Sequence, residues 1–435
     1  MKRWLVALLV LLALVVLISP GIVGRMAEDN MNREIDWIES ENPGVNIRTE
    51  TFERGWFNSE GRHRVVLEGG QFREMSEKYQ VSTGNPEMFS IVIDTKLDHG
   101  LIPLSSLTPG LASTVSTFQF DSGDGELVDL PGILTSNVSL SGATYSTLVV
   151  EQGSQQVDNK TITWEGADLD MIFDRAGGSK SARGTISPIS VSDGEGGLEI
   201  GTITIDADQA ITDYGFNVGP VKLSVGTITA ASDSGSLTIG GIVLDADSSI
   251  DDGRLTGAGK FELNGVEVPG FGDVQVAMDM TMNGFDAQAL GAIASVLKNA
   301  QSEPDPALAL QLVYPEIEGD LQTLAARGGE IRFNQFDVSL PQGNVSTNMA
   351  IEIPEGDMDA DFSWASVLLK SKASLNVRVP AALYEMAAMM NPQANSLIAM
   401  GMLVKDADDY VLAAEYEQGL VNVNGAPMPI PMPGF

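Results

Sequence analysis

Residues 4–23, WLVALLVLLALVVLISPGIV, form an uncharged apolar run preceded by Lys2 and Arg3. At ~1.5 Å per residue, a helix of this length reaches ~30 Å, the thickness of a bilayer's hydrocarbon core. The basic residues on the short N-terminal side predict that this end stays in the cytoplasm, so that everything after about Arg25 is exported. A cleaved signal peptide is the rival reading. Ser19 and Gly21 are small and suitably spaced, but Pro20 lies between them and there is no A-x-A site. Either way the bulk of the chain is expected outside the inner membrane.

The chain beyond this run must fold without covalent staples. It has no cysteine, so an exported domain here relies on packing and strand pairing. It also lacks a thiolate for nucleophilic or metal chemistry. With 25 basic against 59 acidic residues the formal net charge is −34. That excludes the basic footprint nucleic acid requires, and it disfavours lying flat on an anionic membrane. The acids are spread along the chain. They serve solubility, or else bind divalent cations or a basic partner.

The texture then changes in stages. Residues 1–25 read as the membrane anchor and 26–44 as a membrane-proximal helix, with Met31, Ile35 and Ile38 on one face and Pro43-Gly44 ending it. Residues 45–283 carry short alternating runs such as HRVVLEG, TSNVSLSG and VQVAMDMTM, broken by Gly, Asn, Asp and Ser. This is strand-and-turn texture. Residues 284–435 mix helix and strand. Asp286 is placed to cap a helix through Asn299, and 307–313 and 316–326 read as two helical pieces stopped by Arg327-Gly328-Gly329. Pro380 sits where a helix-starting proline belongs, before AALYEMAAMM, and 410–423 alternates again. The expected fold is β-rich α+β: an N-terminal transmembrane helix, an elongated antiparallel sheet with strand-pair repeats, and helices in the C-terminal third.

An internal repeat lies within the strand-rich region, with related stretches at 184–214 and 226–253. LEIGTITIDADQAI at 198–211 aligns without gaps on LTIGGIVLDADSSI at 237–250, and eight of the fourteen positions are identical. In both copies apolar residues stand at offsets 0, 2, 5 and 7, so the alternation changes phase at Gly201 and at Gly240-Gly241. A bulge or kink there keeps both halves facing one core. The same bare spacing recurs at Ile331/Phe333/Phe336/Val338, where composition alone accounts for it.

The order of features resembles a known family. Phe52-Glu53-Arg54-Gly55-Trp56-Phe57-Asn58-Ser59 is similar to the Y-x-R-G-W-F-x-S block of the YdgA-like proteins, with phenylalanine where tyrosine is common. The stretches 283–289, 316–344 and 401–425 resemble further blocks of that family. The resemblance implies an inner-membrane protein facing the periplasm and implies no activity.

No catalytic constellation emerges. There are two histidines, His63 and His99, in separate strand-like segments, which read as ordinary surface residues. Ser295 and Lys298 form S-x-x-K without its companion motifs. Asp206-Ala207-Asp208 and Asp245-Ala246-Asp247 close the two repeats and read as solvated acids at strand ends. Asp245, Asp247, Asp251 and Asp252 are weak calcium candidates, since Ile250 stands where an EF-hand requires glycine. Arg54, Trp56 and Phe57 are the best binding-site candidates: in an extended strand, adjacent rings face opposite ways, one buried and one exposed. No cofactor is expected. The chain reads as a non-enzymatic cell-envelope protein that binds a lipid or a protein partner. A scaffold for inner-membrane proteins and a hydrolase with paired carboxylates ~5–10 Å apart are the alternatives.

Overall fold

The computed structural model describes residues 45–67, 90–100, 109–121, 127–157, 160–192, 196–232, 235–268, 272–300, 306–356, 362–390 and 395–428, together with Ile35 and Pro103. The expected anchor and nearly all of the membrane-proximal helix lie outside these residues. Among the described residues no helix is long and apolar enough to cross a membrane. They divide into two units, 1–154 with 164–186 and 155–163 with 187–435.

The first unit is an antiparallel sheet whose strands follow chain order over six neighbours: β1 (Val45–Arg54), β2 (Asn58–Leu67), β3 (Ser90–His99), β4 (Ala112–Asp121), β5 (Leu127–Val138) and β6 (Thr144–Val150). β7 (Gly153–Val157) and β8 (Lys160–Trp164) intervene before β9 (Ala167–Asp174) joins β6 and β10 (Ser179–Ile186) joins β9. Polar pairs lace one face. Arg64 binds Glu50 at 2.6 Å and also Asp121, and the Arg62 guanidinium donates to Gln119 Oε1 at 2.8 Å.

The second unit continues the antiparallel pattern. β11 (Ile189–Ser192), β12 (Gly197–Ile200), β13 (Ile203–Ile211), β14 (Asn217–Val218), β15 (Val221–Val225), β16 (Ile228–Ser232), β17 (Gly235–Ile239) and β18 (Ile242–Asp251) carry the repeat region. Two long strands come next, β19 (Arg254–Val268) and β20 (Gly272–Asp286). Helices α1 (Ala287–Ala300) and α2 (Pro306–Arg327) precede β21 (Gly329–Leu340) and β22 (Gly343–Ile353). Then come α3 (Trp364–Lys370), β23 (Lys372–Pro380), α4 (Ala381–Met390), α5 (Asn395–Ala399), β24 (Val404–Asp406), β25 (Asp409–Glu417), β26 (Leu420–Val423) and β27 (Ala426–Met428). The main pairing order is β13-β15-β18-β19-β20-β21-β22-β23-β25-β26-β27.

One helical expectation needs correction. The pieces at 307–313 and 316–326 are one helix, α2, which runs through Pro315. An interior proline removes one hydrogen bond and kinks a helix without always ending it. The helix expected over AALYEMAAMM is present as α4, which starts directly after Pro380; that proline is also the last ladder position of β23, opposite Asp409.

Both repeat copies are strand–kink–strand. In the second copy Ile239 opposes Val266 and Ile242 opposes Leu263, so Gly240-Gly241 faces Asn264-Gly265. The kink stays hydrogen-bonded, with Gly240 N–H donating to Gly265 O at 2.6 Å and Asn264 N–H to Gly241 O at 2.9 Å. The first copy does the same with Gly201 N–H on Thr227 O and Gly226 N–H on Thr202 O, each at 2.8 Å. Glycine is required because a Cβ on Gly240 would lie 1.5 Å from Asn264 O. β19 then opposes Leu263 to Val276 and Val266 to Val274, three residues against two. Val274 and Val276 share a face of β20, so Ile239 and Ile242 share it too.

The aspartates of the repeats are not beyond the strand ends. Asp206 and Asp208 lie inside β13, and Asp245 and Asp247 inside β18, on the outward face. Lys222 on β15 pairs with Asp245 at 3.1 Å. The apolar residues are not in a closed layer either: Leu198 is 41% and Leu237 45% exposed, and Ile203 and Ile242 are half-buried. Ile242→Ala is therefore expected to cost about 1–2 kcal/mol, below the 2–5 of a fully buried site. Chemical denaturation measures this, and a loss above 3 kcal/mol would show a sealed core.

The core of the second unit sits where β18 and β19 meet α1. Val218, Leu255 and Ala287 are buried together, with Tyr214, Phe216, Ile250, Met282 and Leu290 packed around them. As the sequence predicts, Asp286 caps α1, accepting from Ala289 N–H at 2.8 Å.

Candidate functional site

The second unit's sheet is amphipathic from end to end. Its register places Ile205, Leu223, Leu244, Phe261, Met278, Phe336, Thr347, Val377 and Leu412 in one row across nine strands. On one side runs Ile203–Val225–Ile242–Leu263–Val276–Val338–Val345. On the other runs a row from Ala207 through Met280 and Phe333 to Val423. Across these three rows the only polar side chain is the Thr347 hydroxyl. The charged residues of the same strands, among them Lys260, Glu262, Asp279 and Arg332, alternate onto the opposite face, where Lys260 pairs with Asp279 at 3.7 Å.

β21 keeps this face intact by a bulge. Phe333 and Phe336 oppose Met280 and Met278, three residues against two, so both rings point the same way. The same spacing that composition alone accounts for in the sequence thus repeats the device of the kinked copies.

This face is open. Most of its members are half-buried, Phe336 and Leu244 are 39% and 37% exposed, and Val423 at the end of the third row is buried. Gly259 stands in the third row between Ala246 and Met280, and a Cβ added there would meet nothing within 4 Å. A contiguous apolar surface that stays in contact with water marks a binding or interaction surface.

Arg54, Trp56 and Phe57 fall at the β1–β2 turn of the first unit. Gly55 N–H donates to Asn58 O at 2.7 Å, and a Cβ on Gly55 would sit 2.8 Å from that oxygen. The glycine of the R-G-W-F-x-S block is thus a turn requirement. Because the turn takes these residues out of the extended conformation, both rings are exposed, Trp56 by 56% and Phe57 by 40%, contrary to the one-in, one-out expectation. Leu140, 56% exposed, lies in the β5–β6 turn at the same end of that sheet.

The block's serine has a partner the sequence did not reveal. Ser59 Oγ and His99 Nε2 are 3.1 Å apart, on strands 40 residues apart in sequence, and each residue is 2% exposed. His63 is also buried, not at the surface as expected. Its Nδ1 meets Thr49 Oγ1 at 3.1 Å, while Nε2 has no hydrogen-bond partner among the described residues. Burial holds its pKa below the usual histidine range.

That shift fixes a sign. Between the folded and unfolded pKa values the unfolded chain binds the extra proton, so the stabilising contribution is present above the unfolded value near 6.5 and is lost as pH falls from there through the folded pKa. The stability gap between wild type and His63→Gln is expected to shrink on acidification from pH 7.5 to 5. Thermal melts at each pH measure it, and parallel curves would count against a neutral buried imidazole.

The candidate calcium acids do not converge. Asp245 and Asp247 lie within β18, Asp251 pairs in register with Arg254, and Asp252 occupies the turn with φ 49°. Among the described residues no three His, Asp or Glu side chains gather as a metal site would need.

No curated protein and no solved structure matches the chain. Over residues 1–431 it matches the family described as bacterial protein of unknown function, DUF945. The chain thus belongs to the DUF945 family of bacterial proteins.

Proposed function

We propose that this protein is a non-enzymatic lipid-binding component of the cell envelope, anchored in the inner membrane by residues 4–23 and facing the periplasm, as the YdgA-like resemblance implies. One observation carries the lipid reading: the charge-free, open face of the second unit's sheet. A protein interface fixes its partner with hydrogen bonds and charges placed around an apolar centre. Here one hydroxyl serves three rows. An acyl chain asks for nothing more, since it has no polar group to satisfy. The side chains suit it as well: Met278 and Met280 alternate along β20, and methionine adapts to irregular apolar surfaces.

The test is photo-crosslinking in cells from a photoreactive residue at Phe333, with Arg332 on the opposite face as control. Lipid adducts at 333 and none at 332 are expected. Adducts at neither position would remove the lipid reading. For placement, a periplasm-dependent reporter fused after Phe435 is expected to be active, and an inactive one would refute export.

Scaffolding for other inner-membrane proteins is the second reading. The exposed Trp56, Phe57 and Leu140 favour it. A reproducible protein adduct from position 56, with no lipid adduct from 333, would put it first.

A further inference from the structure

The row from Ile205 to Leu412 crosses nine strands. At ~4.8 Å between neighbouring strands it extends ~38 Å. Two acyl chains meeting end to end fill the ~30 Å core of a bilayer, so the row is longer than a single chain requires. No charge interrupts it. Met278 stands at its centre, and beside it in the neighbouring row Met280 pairs with Gly259, where an added Cβ would meet nothing within 4 Å.

We propose that this face is a continuous track that seats at least two acyl chains at once, not a pocket for one ligand. The inference rests on the lipid reading above. The track binds the apolar chain alone and leaves the headgroup in water, because no cation stands on the three rows to pair with a phosphate or carboxylate. In a chain of formal charge −34, an uncharged headgroup meets the least repulsion.

The probe is a monoacylglycerol, which has one chain and no charge. The full chain in detergent is titrated with it, and bound copies are counted by native mass spectrometry. Two or more copies per chain are expected. Met278→Asp puts a charge in mid-row, and Gly259→Phe fills the open notch at a position without positive φ. Each is expected to reduce the count to one or none. Thr281→Asp, on the outward face opposite Arg332, is expected to leave it unchanged. A wild-type maximum of one copy overturns the track while leaving the lipid site standing, and so does an undiminished count in two variants whose melts show them folded. No bound probe at all, together with no adduct at position 333, removes the lipid reading itself. The wild-type count decides even if neither variant folds.

Discussion

Replacing Gly291 by alanine is expected to lower the stability of the second unit by about 3 kcal/mol, the upper end of overpacking costs. Gly291 lies in α1 where the helix crosses the Tyr214 carbonyl. A Cβ there would stand 1.8 Å from Tyr214 O and 2.9 Å from its carbonyl carbon. Both atoms are backbone, so no rotamer change relieves the clash. Either α1 lifts off the Val218–Leu255–Ala287 core or the Tyr214 segment moves, and Tyr214 itself packs against that core. Gly319, within α2, is the control, since a Cβ there meets nothing within 4 Å. Gly319→Ala is expected to gain about 0.5–1 kcal/mol, as glycine-to-alanine does in an unobstructed helix. Denaturant melts and amide exchange over 287–300 measure both. A loss below 1 kcal/mol at Gly291 would mean that the helix is not docked as described.

The strand texture and the capping of α1 were legible because each is written locally. Alternation marks a strand with two unlike faces, and an aspartate three residues before an N–H in need of a partner marks a helix start. The kinks were legible because glycine interrupts a phase in two matching copies. The bulge at Phe333/Phe336 carries the same spacing without a glycine or a second copy, so nothing separated it from chance. The Ser59–His99 pair depends on the register of β2 against β3 and on the geometry at their ends, which periodicity does not give. The two exposed rings at Trp56 and Phe57 turn on whether residues 55–57 continue a strand or bend. Most consequential is the open face. An alternating pattern says that one side of a sheet is apolar, yet nothing in it says what covers that side.

Asp286→Ala is expected to cost about 2–3 kcal/mol, and the two tasks of the carboxylate can be separated. Oδ1 accepts from Ala289 N–H at 2.8 Å, and Oδ2 lies 3.2 Å from Arg327 Nε at the end of α2. Asp286 is 6% and Ala289 2% exposed, so deleting the acceptor strands a buried N–H. An unsatisfied buried donor costs about 1–3 kcal/mol, and a lost N-cap typically about 1 within that range. The ion pair weighs less. The Arg327 side chain is 42% exposed and recovers its hydration when the partner goes, so the pair contributes under about 1 kcal/mol. Asp286→Asn keeps an acceptor oxygen for Ala289 and gives up only the charge. It is expected to lose no more than about 1 kcal/mol, and Arg327→Gln a similar amount. Melts of the three variants decide the matter: if Asp286→Asn proves as damaging as Asp286→Ala, the charge and not the cap holds α1 and α2 in place.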